Sequence, residues 1–133
     1  MPTISNFIIA APSSGTGKTT LTLGLLRALK NRGMNVQPFK CGPDYIDTKF
    51  HTMASGNDSV NLDLFLSSNE HVEALYNKHI QKKDVGIVEG VMGLFDGYNK
   101  MRGSSAEVAE VLKIPGILVV NAKFLSYSLA PFI

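Results

Sequence analysis

The chain has 133 residues, 44% hydrophobic and 18% charged, with a formal net charge of +2, which is the makeup of one globular domain with a single core. So small a charge, with no cluster of Lys and Arg, argues against nucleic acid or a membrane surface as a partner. The longest apolar runs, such as Ile117 to Val120, fall far short of the roughly 20 residues of a spanning helix, no signal peptide is recognisable, and the lone Cys41 forms no internal disulfide, so the expected location is the cytoplasm.

Asn6 to Ala11 is a short, continuously apolar run and predicts a strand buried on both faces. Pro12 to Thr19, Pro-Ser-Ser-Gly-Thr-Gly-Lys-Thr, links it to a helix predicted over Lys18 to Arg32, with Leu21, Leu25, Leu26 and Leu29 on one face and Gly33 as its stop. Backbone N–H groups in such a turn point inward and, with the positive end of the helix, hold nucleotide phosphates. The cradle is Ser13, Ser14, Gly15, Thr16, Gly17, Lys18, Thr19 and Thr20; Lys18 reaches the terminal phosphates and Thr19 ligates Mg²⁺. Pro12 stands where the first glycine usually sits, so that corner must turn without positive φ.

Val36 to Lys40 predicts a second strand, and Cys41 to Leu66, rich in Gly, Asp, Asn and Ser, reads as one long irregular connection of the kind that is usually functional or mobile. Ser67 with Glu70 forms a capping box that starts a helix through about Lys82. Val85 to Glu89 is a third strand, Gly90 to Gly103 a glycine-punctuated loop, and Ser104 with Glu107 a second capping box for a helix to about Lys113. Gly116 to Asn121 is a fourth strand, followed by the start of another helix whose Leu125, Leu129 and Phe132 still need cover. Strands alternating with helices imply right-handed crossovers and an α/β parallel sheet with flanking helices, its ligands gathered at the strands' carboxyl ends.

The candidate chemistry lies just after those strands. Glu89 ends an apolar strand, where a carboxylate holds Mg²⁺ or its waters, or else is a solvated strand end. Asp44, Asp47 and Asp96 stand in glycine-rich loops and read either as turn formers or as carboxylates converging on a triphosphate, which they would repel unless a divalent metal or substrate intervened. Lys40 either neutralises phosphate charge or is an ordinary strand-end lysine. Cys41 reads as a small buried thiol, and His51, His71 and His79 show no metal-ligand spacing, the last two falling on a predicted helix and facing solvent.

Four segments, Phe39 to Asp47, Asn61-Leu62-Asp63, Glu89 to Gly97 and Gly103 to Glu107, together with the form of the Pro12 to Thr19 turn, resemble the cobyrinate a,c-diamide synthase family. More widely the chain resembles dethiobiotin synthetase and the MinD-like ATPases, which implies a P-loop NTPase-like fold. Ser13 occupies the position of the MinD-type signature lysine, which weighs against the partitioning-ATPase branch. The resemblance implies ATP- and glutamine-dependent amidation of the a and c carboxylates of a corrinoid acid through an acyl phosphate. On it Lys18, Lys40, Asp44, Asp47 and Asp96 are catalytic, Thr19, Asp47 and Glu89 hold Mg²⁺, and Tyr45 and Ile46 contact the side chain being amidated. It also implies a C-terminal glutaminase domain, absent from this chain, so residues 1–133 are expected to be a partial synthetase domain with the sheet incomplete at its C-terminus. Another tetrapyrrole acid, such as hydrogenobyrinate or nickel-sirohydrochlorin, is an alternative substrate, and a non-catalytic nucleotide switch an alternative role. Homodimer formation stays open.

Overall fold

The computed structural model describes residues 5–132 of the chain. In order it contains β1 (Asn6–Ala10), α1 (Lys18–Asn31), β2 (Val36–Cys41), α2 (Asp47–Ser55), β3 (Val60–Leu62), α3 (Asn69–Ile80), β4 (Val85–Glu89), α4 (Ser105–Leu112), β5 (Gly116–Leu118) and a terminal 3₁₀ helix, Tyr127–Phe132. The strands form one parallel sheet in the order β3-β2-β4-β1-β5.

The sheet is covered on both sides, which is why β1 and β4 are unbroken apolar runs rather than alternating ones. On one face Ile8 and Val88 pack with Phe39, Val72 and Tyr76 of α3, and Val108 of α4; on the other Ile9 and Ile87 pack with Leu26 of α1 and Ala54 of α2. Pro38 interrupts β2 without cost to the ladder. Pairing with β3 begins only at Phe39, and the Pro38 carbonyl accepts from Gln37 Nε2 on that unpaired side, where a missing N–H goes unnoticed.

Several expected boundaries are corrected. The connection 41–66 is not irregular: it holds α2 and β3. The cap of α3 is Ser68, not Ser67, its side chain accepting from His71 N at 3.1 Å, so the box with Glu70 does not form. The strand predicted to reach Asn121 ends at Leu118, and the terminal helix is a 3₁₀ segment in which Leu125 and Leu129 flank or join the turn half-buried. The side chain of Phe132 lies outside the described residues.

The second capping box does form, with one change. Ser104 Oγ accepts from Glu107 N at 3.2 Å, and Glu107 Oε2 reaches back to Gly103 N at 2.6 Å, one residue before the cap. Ser104 is fully buried, so no water replaces its hydroxyl. Ser104→Ala should cost about 1 kcal/mol, read as a lower denaturation midpoint at unchanged slope.

Candidate functional site

The sheet register assembles the site before any side chain is considered. Lys40 lies beside Glu89 across β2 and β4, and Ile9 on the other side of Glu89 across β1, so the carboxyl ends of three strands meet in one row. From there β1 enters the 12–19 turn, β2 the loop to α2, and β4 the 90–103 loop.

Gly17 closes the turn at φ 97°, a left-handed conformation that a side chain resists, and no side chain caps α1 behind it, nor is there an acid in its first turn. The leading amides of α1 are thereby left for an external anion. Thr16 Oγ1 donates to Ser13 O at 3.1 Å and pins the turn from behind. Pro12 needs no glycine because the opposing loop supplies one: a Cβ on Gly93 would stand 2.5 Å from Pro12 O, and Leu94 N donates to Ala11 O at 2.7 Å. Ser14, Gly15, Gly17, Lys18, Thr19 and Thr20 face Lys40, Asp44, Asp47 and Glu89 across a cleft of about 490 Å³.

Lys18 is buried and donates from Nζ to Met92 O at 2.7 Å and, more weakly, to Ser13 O at 3.5 Å. Burial, then the nearby Lys40, holds its pKa below the ordinary lysine value, so the ammonium sits where a phosphate's charge would stabilise it. Met92 offers that carbonyl from φ 49°, unusual for a non-glycine residue.

Glu89 is the hub. Its Oε1 accepts from Thr19 Oγ1 at 2.5 Å and lies 3.6 Å from Lys40 Nζ; its Oε2 meets His51 Nε2 at 2.5 Å. Burial alone would raise its pKa, but the hydrogen bond from His51, the charge of Lys40 and the hydrogen bond from Thr19 together leave it below the ordinary value, so it stays a carboxylate. Lys40 is itself buried, pairing with Asp47 Oδ2 at 3.0 Å and donating to Gly90 O at 3.2 Å.

The remaining sequence candidates divide. Asp44 borders the cleft but commits Oδ1 to the amides of Ile46 at 2.9 Å and Asp47 at 3.1 Å, starting α2; burial opposes its charge, yet those amides and Lys40 leave its pKa lowered. Asp96 is exposed and accepts from Gly93 N at 3.1 Å, so in this structure it forms the turn and does not border the cleft. Tyr45 and Ile46 are 66% and 70% exposed and are not among the residues lining the cleft. Asn61 Nδ2 bridges Gly42 O and Asp44 O at 2.8 and 2.9 Å, and Ser105 Oγ both accepts from Val91 N and donates to Val91 O, so the four segments singled out in the sequence brace one another around the cleft.

His51 is the residue that sequence reasoning missed. It is fully buried in α2 and holds Ser59 Oγ at 3.1 Å as well as Glu89. The available signal was its position four residues after Asp47, one helical turn, usable only once a helix is assigned there. His71 is exposed as expected, whereas His79 is half-buried with its ring on Leu75 O. Burial pushes the Cys41 thiol up to about 12, making it inert at neutral pH.

The residues fit a hard cation. Thr19 hydroxyl and Glu89 carboxylate are oxygen donors already turned to one another, with Asp47 nearby, and among the described residues no three His, Cys, Asp or Glu side chains form a protein-only cage. Magnesium characteristically takes one or two carboxylates and completes its shell from phosphates and water.

A glycine turn leading from the first strand of a parallel sheet into a helix that opens with Lys and Thr, faced by a buried glutamate at a neighbouring strand tip, defines a P-loop nucleotide-binding protein of the α/β class. A family profile, the CobQ/CobB/MinD/ParA nucleotide binding domain (CbiA), matches residues 7–127. The chain belongs to that family. It is 50% identical over 133 residues to a cobyrinate a,c-diamide synthase of Listeria monocytogenes serovar 1/2a, covering 98% of this chain and 29% of the relative. It is 47% identical over 132 residues to a protein of the same name from Picrophilus torridus, covering 98% and 30%. It is 48% identical over 131 residues to a hydrogenobyrinate a,c-diamide synthase of Brucella ovis, again covering 98% and 30%. The chain thus spans under a third of the length of these curated relatives. Among the described residues no helix is long and apolar enough to cross a membrane.

Proposed function

We propose that this chain is the nucleotide-binding synthetase domain of a corrinoid a,c-diamide synthase, using ATP and Mg²⁺ to activate a substrate carboxylate as an acyl phosphate that ammonia then attacks. The observation that carries this reading is the cleft in which Lys18 and Thr19 face Lys40, Asp44, Asp47 and Glu89, all within the residues 7–127 that the family profile matches. The names of the relatives supply the substrate class.

A carboxylate is a poor electrophile, and the phosphoryl group is transferred through a state whose charge must be spread over its oxygens. In this proposal Lys18 leaves Met92 O and Ser13 O for the terminal phosphates, while the amides of the turn hold the chain of phosphates in line. Thr19, Glu89 and Asp47 would hold magnesium, which when bound neutralises charge between the phosphates. Lys40, among the described residues the single cation lining the far side of the cleft, balances the incoming carboxylate against Asp47 and Glu89. Asp44 keeps the 43–47 loop in place, and the exposed Tyr45 and Ile46 offer an apolar rim to the macrocycle. Asp96 acts, on this reading, after release from Gly93 N. Glutamine as ammonia source requires a glutaminase domain, and the cytoplasm is the location that suits ATP as substrate.

The test supplies ammonium directly, so that the synthetase site is read apart from any ammonia source. Cobyrinic acid carrying heavy oxygen in its carboxylates should pass that label to the phosphate released from ATP. Unlabelled phosphate in the presence of amide product would overturn the acyl phosphate. Stimulation by neither cobyrinic acid, hydrogenobyrinic acid nor a nickel-sirohydrochlorin would favour a nucleotide switch, although the absence of a lysine at Ser13 argues against the MinD and ParA form of one.

A further inference from the structure

We propose that His51 is a positioning residue that holds one oxygen of Glu89 so that the other is kept for the metal of the bound nucleotide. The inference rests on the magnesium reading of the site and goes beyond it by assigning a task to a buried side chain outside the phosphate turn.

A carboxylate only accepts hydrogen bonds, so His51 Nε2 carries the hydrogen in its 2.5 Å contact with Glu89 Oε2. In the neutral ring Nδ1 then accepts from the Ser59 hydroxyl at 3.1 Å, which fixes both the tautomer and the plane of the imidazole. Both His51 and Glu89 are fully buried, so no water stands in for either partner.

The pull that His51 resists is visible. Lys40 Nζ already donates to Asp47 Oδ2 at 3.0 Å and to Gly90 O at 3.2 Å, and its third hydrogen faces Glu89 Oε1 from 3.6 Å, just beyond a direct bond. A glutamate side chain free to rotate would close that gap, and Lys40 would then occupy the oxygen that now faces Thr19. With Oε2 tied to His51, Oε1 remains between Thr19 and Lys40 and is open to a cation that replaces the Thr19 hydrogen bond. Outer partners of this kind orient ligating carboxylates, and losing one typically weakens metal binding about 10- to 100-fold.

Two amide substitutions separate this role from a merely structural one. Glutamine places an N–H near the former Nε2 and keeps the bond to Glu89. Asparagine is shorter, reaching toward Ser59 and leaving Glu89 free. The readout is Mn²⁺ affinity in the presence of saturating ADP, followed by the resonance of free Mn²⁺, with the denaturation midpoint of each variant recorded alongside. His51→Gln should bind Mn²⁺ within about threefold of the wild type, and His51→Asn should bind about 10- to 100-fold more weakly, while ADP affinity without metal stays unchanged in both.

Wild-type affinity in His51→Asn, or an equal loss in both variants, would overturn the proposal while leaving the magnesium reading intact. A wild-type chain that binds no more Mn²⁺ than free ADP does would remove both. Independently of any substitution, in wild-type protein with isotopically labelled histidine rings the His51 nitrogen resonance should move when Mg²⁺ joins bound ADP. A resonance that ignores the metal refutes the coupling.

Discussion

Glu89→Gln should cut magnesium-dependent phosphoryl transfer by about 10²- to 10³-fold while leaving metal-free nucleotide affinity nearly unchanged. The reasoning is one of donors and acceptors. Thr19 Oγ1 and His51 Nε2 both present hydrogens to Glu89, and an ionised carboxylate accepts both. An amide accepts at one end and donates at the other. With the His51 tautomer kept by the Ser59 hydroxyl donating to Nδ1, the amide oxygen takes the Nε2 hydrogen and the NH₂ then faces Thr19, the point at which the cation is to be held. The loss should appear in kcat more than in the KM for nucleotide, because the phosphate cradle of turn and Lys18 is untouched. Steady-state kinetics with Mg²⁺ varied at fixed ATP check it, and a variant restored to wild-type rate by excess Mg²⁺ would show a weakened site, not a lost one.

What the sequence made legible, and what it hid, follows from where polar groups are buried. β1 and β4 are covered on both faces and therefore announce themselves as apolar runs, and the phosphate turn is written in glycine, lysine and threonine because its geometry admits little else. α2 was invisible for the opposite reason. It turns His51 and Ser55 inward with Ala54, and leaves Phe50 and Met53 exposed, so its hydrophobic periodicity is reversed relative to an ordinary surface helix. Its punctuation was nonetheless present: Asp44, whose carboxylate takes the first amides, and Gly56, which ends the helix at φ 80°. β3 is only three residues long and is held by pairing with β2, an interaction no local pattern encodes. The acidic candidates show the same division. Glu89 could be placed because it ends a buried strand, whereas Asp44 and Asp96 differ only in which backbone amides they meet, which loop composition does not reveal.

Removing Lys40 should be the most destabilising single change at the site. Lys40→Met keeps the length of the side chain but strips Asp47 of its partner at 3.0 Å and leaves Glu89, fully buried, without the nearest cation. Breaking a buried pair by deleting one member typically costs about 3–5 kcal/mol, because the surviving charge is left in a medium that does not solvate it. The cost should depend on pH. In the wild type the Glu89 pKa lies below the ordinary value, so its contribution is present above the unfolded glutamate pKa of about 4.3 and is lost as pH falls through the folded value. Without Lys40 one of the influences lowering that pKa is gone and burial is less opposed, so the folded value rises and the carboxylate protonates more readily. The deficit of Lys40→Met relative to wild type should therefore be greatest near about pH 7 and shrink on acidification toward about pH 4 to 5. Urea unfolding at both values measures it, and the double variant Lys40→Met/Glu89→Gln should recover a large part of the loss at neutral pH, since no buried charge is then left at position 89. A deficit equal at both pH values, or no recovery in the double variant, would mean that Lys40 stabilises the domain through its packing and not through the carboxylate beside it.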